Sequence, residues 1–254
     1  MSSWRQRRKF TYLASVLIVL AIVIIVPSYF HFYKAPTCFD KTQNQGEEGI
    51  DCGGPCSTVC SFSAIDPIIR WARAFPIIPG TYSAVAYIEN PNTNASVSQI
   101  AYNFKFYDDN NILLSERSGT TFIPVKKAFP IFETMIPTGV RQIKKTFFQF
   151  TEIPNWRSDA GTVPEIMTQS KNLTNENIAP RLSATIYNGN ITAVNNITVI
   201  AILYDKNDNA IGSSQTYIES LSKESSTEAI FTWPAPFSAP VSRIEIYPRV
   251  AQAL

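Results

Sequence analysis

From Phe10 to Tyr33 the chain runs 24 residues without an acid, a lysine or an arginine, and 16–26 is unbroken Val, Leu, Ile and Ala. At ~1.5 Å per residue such a segment makes a helix of about 36 Å, enough to cross a hydrocarbon core of ~30 Å. Lipid offers no partner for free backbone N–H and C=O groups, so an apolar segment of this length is helical if it lies in a bilayer. Trp4 and Tyr12 stand near one end, and Tyr29, Phe30, Phe32 and Tyr33 near the other, as rings at two membrane interfaces do. Pro27 falls where it would kink or end the last turn. A cleaved export signal is the alternative. Its apolar core is shorter, about 7–15 residues, and small residues follow it. Here PSYFHFYKAPTC follows, which is bulky, and Pro36-Thr37 before Cys38 does not suit a lipoprotein cleavage site. The segment therefore reads as a retained anchor at residues 10–33.

Charge orients that anchor. Residues 1–9 hold Arg5, Arg7, Arg8 and Lys9 and no acid, whereas Lys34 is the one cation just beyond the span. The excess of cations before the helix predicts a cytoplasmic tail (1–9) and an extracytoplasmic remainder. The net charge of +2 comes from 22 cations and 20 acids, and four of those cations are in the tail. Residues 10–254 therefore have 18 cations against 20 acids and carry −2. No basic surface is left that would suit nucleic acid.

All four cysteines lie in the next segment (34–60): Cys38, Cys52, Cys56 and Cys60. An even cluster outside the cytoplasm reads as two disulfides, with three pairings open. The segment has almost no aliphatic residues, so it needs such staples. Gly53, Gly54 and Pro55 supply the turn. A four-thiolate zinc site fits the count, but it conflicts with an oxidising compartment and lacks paired CxxC knuckles. Asp40, Asn44, Glu47 and Asp51, with Glu48, are candidate oxygen ligands for calcium. The stretch 40–51 has the length of a helix–loop–helix calcium loop, yet Gln45 stands at its glycine position and Asp51 at its closing glutamate. The pattern of Cys38, Asp40, Asn44, Glu47, Gly49, Asp51, Cys52, Gly53, Gly54, Cys56 and Cys60 resembles a motif of extracellular proteins, including many bacterial envelope proteins. That resemblance implies a short exported structural module without catalytic chemistry.

From about residue 80 the chain alternates apolar and polar residues between Asn-, Asp- and Pro-rich turns, the mark of antiparallel strands. Tyr82, Ala84, Ala86 and Ile88 share one face, as do Ile100, Tyr102, Phe104 and Phe106. Further strands are expected in 112–122, 128–135 and 141–150. The order then repeats: Leu182, Ala184 and Ile186 form one face, and Ile197, Val199, Ala201 and Leu203 the next. Phe104, Phe106, Tyr107 and Asp108 recur as Ala201, Leu203, Tyr204 and Asp205, 97 residues on. A fixed offset signals duplication. The fold expected is mainly β: two tandem immunoglobulin-like antiparallel β-sandwiches, 61–152 and 179–254, after one transmembrane α-helix and a small disulfide-rich segment. Residues 153–178 read as a linker. Trp156 would pack between the sandwiches or stand exposed as a stacking platform for a ligand.

Both copies resemble the FxLYD domain, an immunoglobulin-like sandwich of extracytoplasmic bacterial and archaeal proteins that is related in shape to the late-embryogenesis water-stress domain. The resemblance rests on Phe104, Phe106, Tyr107 and Asp108, and on Leu203, Tyr204 and Asp205, with Asn90 and Asn188 after the preceding strands. It implies a structural motif in which an aromatic packs inward and the Asp accepts backbone N–H bonds in the turn.

Catalysis is not expected. The only histidine, His31, lies at the membrane boundary, where it reads as an interfacial side chain. The cysteines are taken to be paired, and no phosphate-binding loop or G-x-S-x-G elbow occurs. Carboxylate pairs such as Asp108 and Asp109 fall in turns. The sequons at Asn94, Asn172, Asn190 and Asn196 read as Asn-rich turns. Two functions remain. One is a structural or interaction component that binds another envelope protein, favoured by an apolar patch within 61–79. The other is a glycan- or small-ligand-binding module, favoured by aromatics clustered at loop tips.

Overall fold

A computed structural model describes residues 4–33, 35–125, 127–158 and 165–250. Lys34 and residues 1–3 therefore lie outside the described residues, as do 159–164 of the expected linker. The chain separates into two compact units, one ending at Pro55 and the other starting at Cys56.

In the first unit, α1 (Trp4–Phe32) is a single helix, and the stretch from Arg7 to His31 is long and apolar enough to span a membrane. Its aliphatic side chains stand exposed: Val23 and Ile25 are each 64% accessible. An apolar helix without a polar face has the composition of a membrane-spanning segment. Pro27 does not end the helix, which continues to Phe32. Near a helix end, the missing donor and ring clash of proline affect few bonds. The four cysteines, two in each unit, are all disulfide-bonded, as their even, clustered count suggested.

The second unit carries all the strands. In the first sandwich β1 (Ile68–Ile78), β2 (Thr81–Glu89) and β5 (Ala128–Pro137) form one sheet in the order β1-β2-β5. Strands β3 (Ala95–Tyr107), β4 (Leu113–Ile123) and β6 (Lys145–Phe150) form the other, in the order β4-β3-β6, and the short β7 (Arg157–Ser158) pairs with the start of β3. The second sandwich repeats this wiring. Strands β8 (Ile166–Thr174), β9 (Arg181–Asn188) and β12 (Ser226–Thr232) are ordered β12-β9-β8, and β10 (Val194–Tyr204), β11 (Ala210–Leu221) and β13 (Arg243–Val250) are ordered β11-β10-β13. All pairings are antiparallel.

The faces read from the sequence are the ones buried. Ala84, Ala86 and Ile88 meet Ile100, Phe104 and Phe106 in the first core, and Leu182, Ala184 and Ile186 meet Ile197, Val199 and Ala201 in the second. Two expectations require correction. The stretch 153–178 contains β7 and β8, and β8 is the counterpart of β1. Its polar sequence, IMTQSKNLT, gave no strand signal because most of its side chains face solvent. Trp156 neither bridges the sandwiches nor stands exposed. It is 3% accessible, within the first core, and its carbonyl accepts the Val59 N–H at 3.0 Å.

A third core was not foreseen. The outer face of β1-β2-β5 packs on the outer face of β11-β10-β13, joining Phe75 and Val85 to Ile200, Ile202, Tyr204 and Ala210, flanked by Trp71, Tyr87, Phe132 and Tyr247. The two sandwiches thus stack as four sheets. Strands β2 and β10, inside the stack, are covered on both sides.

Candidate functional sites

The acidic loop of the cysteine segment folds around its own backbone. The Asp51 carboxylate accepts the N–H groups of Asp40 at 3.0 Å and Lys41 at 3.0 Å. Asp40 accepts the N–H of Thr42 at 2.9 Å and the Asn44 amide at 2.9 Å. Glu47 Oε2 takes the N–H groups of Asn44 and Asp51. The Asn44 amide, then the Thr37 N–H, hold the Asp40 carboxyl below its ordinary range. These carboxylates act as caps that satisfy backbone donors in a loop lacking regular structure. Lys41, Gln45 and Asp51 adopt positive φ to make the bends. The four calcium candidates do gather in one loop, and the bonds seen there are to N–H donors.

The repeated motif is a device that closes turns. Asp108 Oδ1 accepts the N–H groups of Asn110 and Ile112, each at 2.9 Å. Asp205 Oδ1 accepts those of Asn207 at 2.8 Å and Asn209 at 2.9 Å, and the Asn209 N–H is the main reason its carboxyl lies below the usual range. Phe104, Phe106 and Leu203 point into the cores. The tyrosines lie on the opposite face, as strand alternation requires. Tyr107 meets Phe147 edge-on at 5.5 Å on the outer side of β3. Tyr204 enters the interface between sandwiches, under the Arg243 guanidinium at 3.8 Å, and burial raises its pKa.

Asn90 and Asn188 are a second matched pair, both buried. The Asn90 amide donates to Ala95 O and Pro124 O, and its Oδ1 accepts from the Asn92 N–H and amide. Asn188 donates to Thr192 O, Leu221 O and Ser222 O and accepts from the Asn190 N–H and amide. Asn92 and Asn190 then clasp the chain entering the first strand of each sandwich, through Ile65 and Glu165. Asn190 is thus engaged in structure. Two other sequons correct the turn assignment: Asn172 lies on β8 and Asn196 on β10.

Polar groups also tie the stack. Arg73 donates to Ala210 O at 2.7 Å, and the Tyr247 hydroxyl to that of Tyr87 at 3.0 Å. Arg249 donates to Pro130 O at 2.7 Å, Phe122 O at 2.9 Å and Thr121 Oγ1 at 3.0 Å. Two clefts open along this junction. One, of about 1230 Å³, includes Arg73, Ile78, Val140, Asp205, Trp233 and Phe237. Its Trp233 ring donates to Ser213 O and meets Phe237 edge-on, so it is held within the fold. The other, of about 400 Å³, lies beside Arg249.

No protein-family model matches the chain, and no curated protein sequence matches it. Among solved structures it is similar to a transglutaminase from red sea bream (7% identity, TM-score 0.24, 73% of this chain) and to a β-glucuronidase of glycoside hydrolase family 2 (9% identity, TM-score 0.24, 85% of this chain). The chain spans 29% of the length of each. Likeness at this level carries no argument about activity.

Proposed function

We propose that the chain is a single-pass membrane protein whose N-terminus is cytoplasmic and whose two sandwiches, of FxLYD type, stand outside the cell and bind another envelope protein without catalysis. The helix without protein cover supports the anchor, and the basic residues before it support the orientation. The observation that carries the protein-binding role is the apolar run leading into the edge strand β1. Phe62, Ile65, Ile68 and Ile69 are exposed within eight residues, and Phe62 is 73% accessible. Large apolar side chains concentrated beside an unpaired strand edge suit a protein partner. Glycan binding by loop-tip aromatics has less support. Of the tryptophans, Trp71 and Trp233 are half-buried, Trp156 is buried, and Trp4 is on the helix.

The test is site-specific photocrosslinking in the native membrane, with the crosslinker at Ile69 and, as control, at Tyr217 on β11. The expected result is a discrete protein adduct from Ile69 that is lost in Phe62→Asp/Ile65→Asp. Absence of a protein adduct, together with a hit on a glycan array, would overturn the proposal.

A further inference from the structure

The 400 Å³ cleft lies where β13 meets the first sandwich. Phe122, Phe129, Ile246 and Val250 line it, together with two cations, Lys127 and Arg249, and among the described residues no acid. The Arg249 guanidinium sits over the rings of Phe122 at 4.4 Å and Phe129 at 4.9 Å. Among the described residues each of its bonds is to a neutral acceptor: two carbonyls and one hydroxyl. Among the described residues its Nε–H is buried and donates to nothing, and the Thr168 hydroxyl, also in the lining, is buried without a partner. Burial lowers the Arg249 pKa to about 10, which leaves the group charged at neutral pH.

Buried cations in folded proteins are normally matched by an anion, because neutral acceptors replace hydration but not counter-charge. An apolar cleft with a few convergent polar groups is also the usual form of a small-ligand site, and 400 Å³ falls within the range such sites have. We propose that this cleft binds a small molecule with an apolar body and a single carboxylate, the carboxylate pairing with Arg249 and the body lying against Phe122, Phe129 and Ile246. One half-buried cation among described neutral groups fits a monoanion; a dianion would bring a second charge with only the rim Lys127 to meet it. The proposal stands independently of protein docking at β1, which uses other residues.

The test uses the full chain in zwitterionic lipid nanodiscs, with empty nanodiscs as the blank. Binding of 2-naphthoate and of its neutral analogue 2-naphthylmethanol is compared by equilibrium dialysis. The expected result is one saturable site per chain at which the carboxylate binds at least tenfold tighter than the alcohol, the ratio charge-assisted hydrogen bonding gives. Arg249→Met should abolish that preference, and Thr168→Val should weaken naphthoate about threefold. Should Arg249→Met not fold, the Arg249 Nε–H resonance of the unaltered chain should shift on adding naphthoate and not on adding the alcohol. Equal binding of the two probes, an unmoved Nε–H resonance, or folded variants with unchanged affinity would overturn the proposal.

Discussion

The two sandwiches share one wiring diagram and differ in which outer face each leaves to water. In the second, the outer side of the middle strand β10 carries Ile200, Ile202 and Tyr204, all buried in the stack. At the same positions of the first sandwich, 97 residues earlier, stand Asn103, Lys105 and Tyr107. The other sheet shows the reverse. Val85 and Tyr87 of β2 contribute to the junction, whereas Ser183 and Thr185 stand 98 residues on, and the Thr185 hydroxyl bonds to that of the exposed Ser170. Each copy is more apolar on the outer face that its partner covers than on the one that remains free. The lesson is that the copies share their wiring and inner faces, and that the junction rests on the outer-face positions at which they differ.

The largest expected effect comes from moving a first-sandwich residue into the second. Ile202→Lys places an unpaired ammonium in the third core and should cost about 4 kcal/mol or more. Urea unfolding of the full chain should then show two transitions where the unaltered chain shows one. A single transition at the original midpoint would break the comparison.

Next come the clasps that the copies share. Asn188→Ala leaves the buried Leu221 carbonyl and those of Thr192 and Ser222 without their amide donor, for a loss of about 2 kcal/mol. Asn90→Ala should cost nearly as much, because its bonds are almost the same set. Denaturant midpoints check this, and a large inequality would mean that the clasps are not equivalent.

Smaller again is the acid response of Asp205. Its carboxyl is depressed by backbone N–H donors, so its contribution is complete above pH ~3.8 and is lost as the pH falls through the lower, folded-state pKa. Melting temperatures from pH 2 to 6 should show the unaltered chain ahead of Asp205→Asn at pH 6, with the gap closing below pH ~3.8. The smallest effect is the reciprocal of the first. Lys105→Ile, on the free face of β3, should shift stability by no more than about 0.5 kcal/mol.

Much of this architecture could be read from the residues. Strict alternation in Tyr82–Ile88 and Ile100–Phe106 located the inner faces, and the recurring Tyr-Asp pair located the duplication. The stack was legible too, but in a different signal. Val199–Tyr204 reads Val-Ile-Ala-Ile-Leu-Tyr without a polar residue, whereas 102–107 reads Tyr-Asn-Phe-Lys-Phe-Tyr. Continuous apolar sequence marks a strand covered on both faces, and comparing the copies position by position would have exposed it. Strand β8 was missed for the opposite reason, since an edge strand with little buried side chain has no periodic pattern. The 400 Å³ cleft could not be found this way, because Thr168, Phe129 and Arg249 come from distant parts of the chain and none belongs to a motif.

The most direct test of the account is native-state hydrogen exchange on the full chain in nanodiscs. If the sandwiches form one stacked body, the β2 amides around Val85 and the β10 amides around Ile200 and Ile202 should exchange with the same opening free energy, and Ile202→Lys should separate the two. Different opening free energies for β2 and β10 in the unaltered chain, left unchanged by Ile202→Lys, would contradict it.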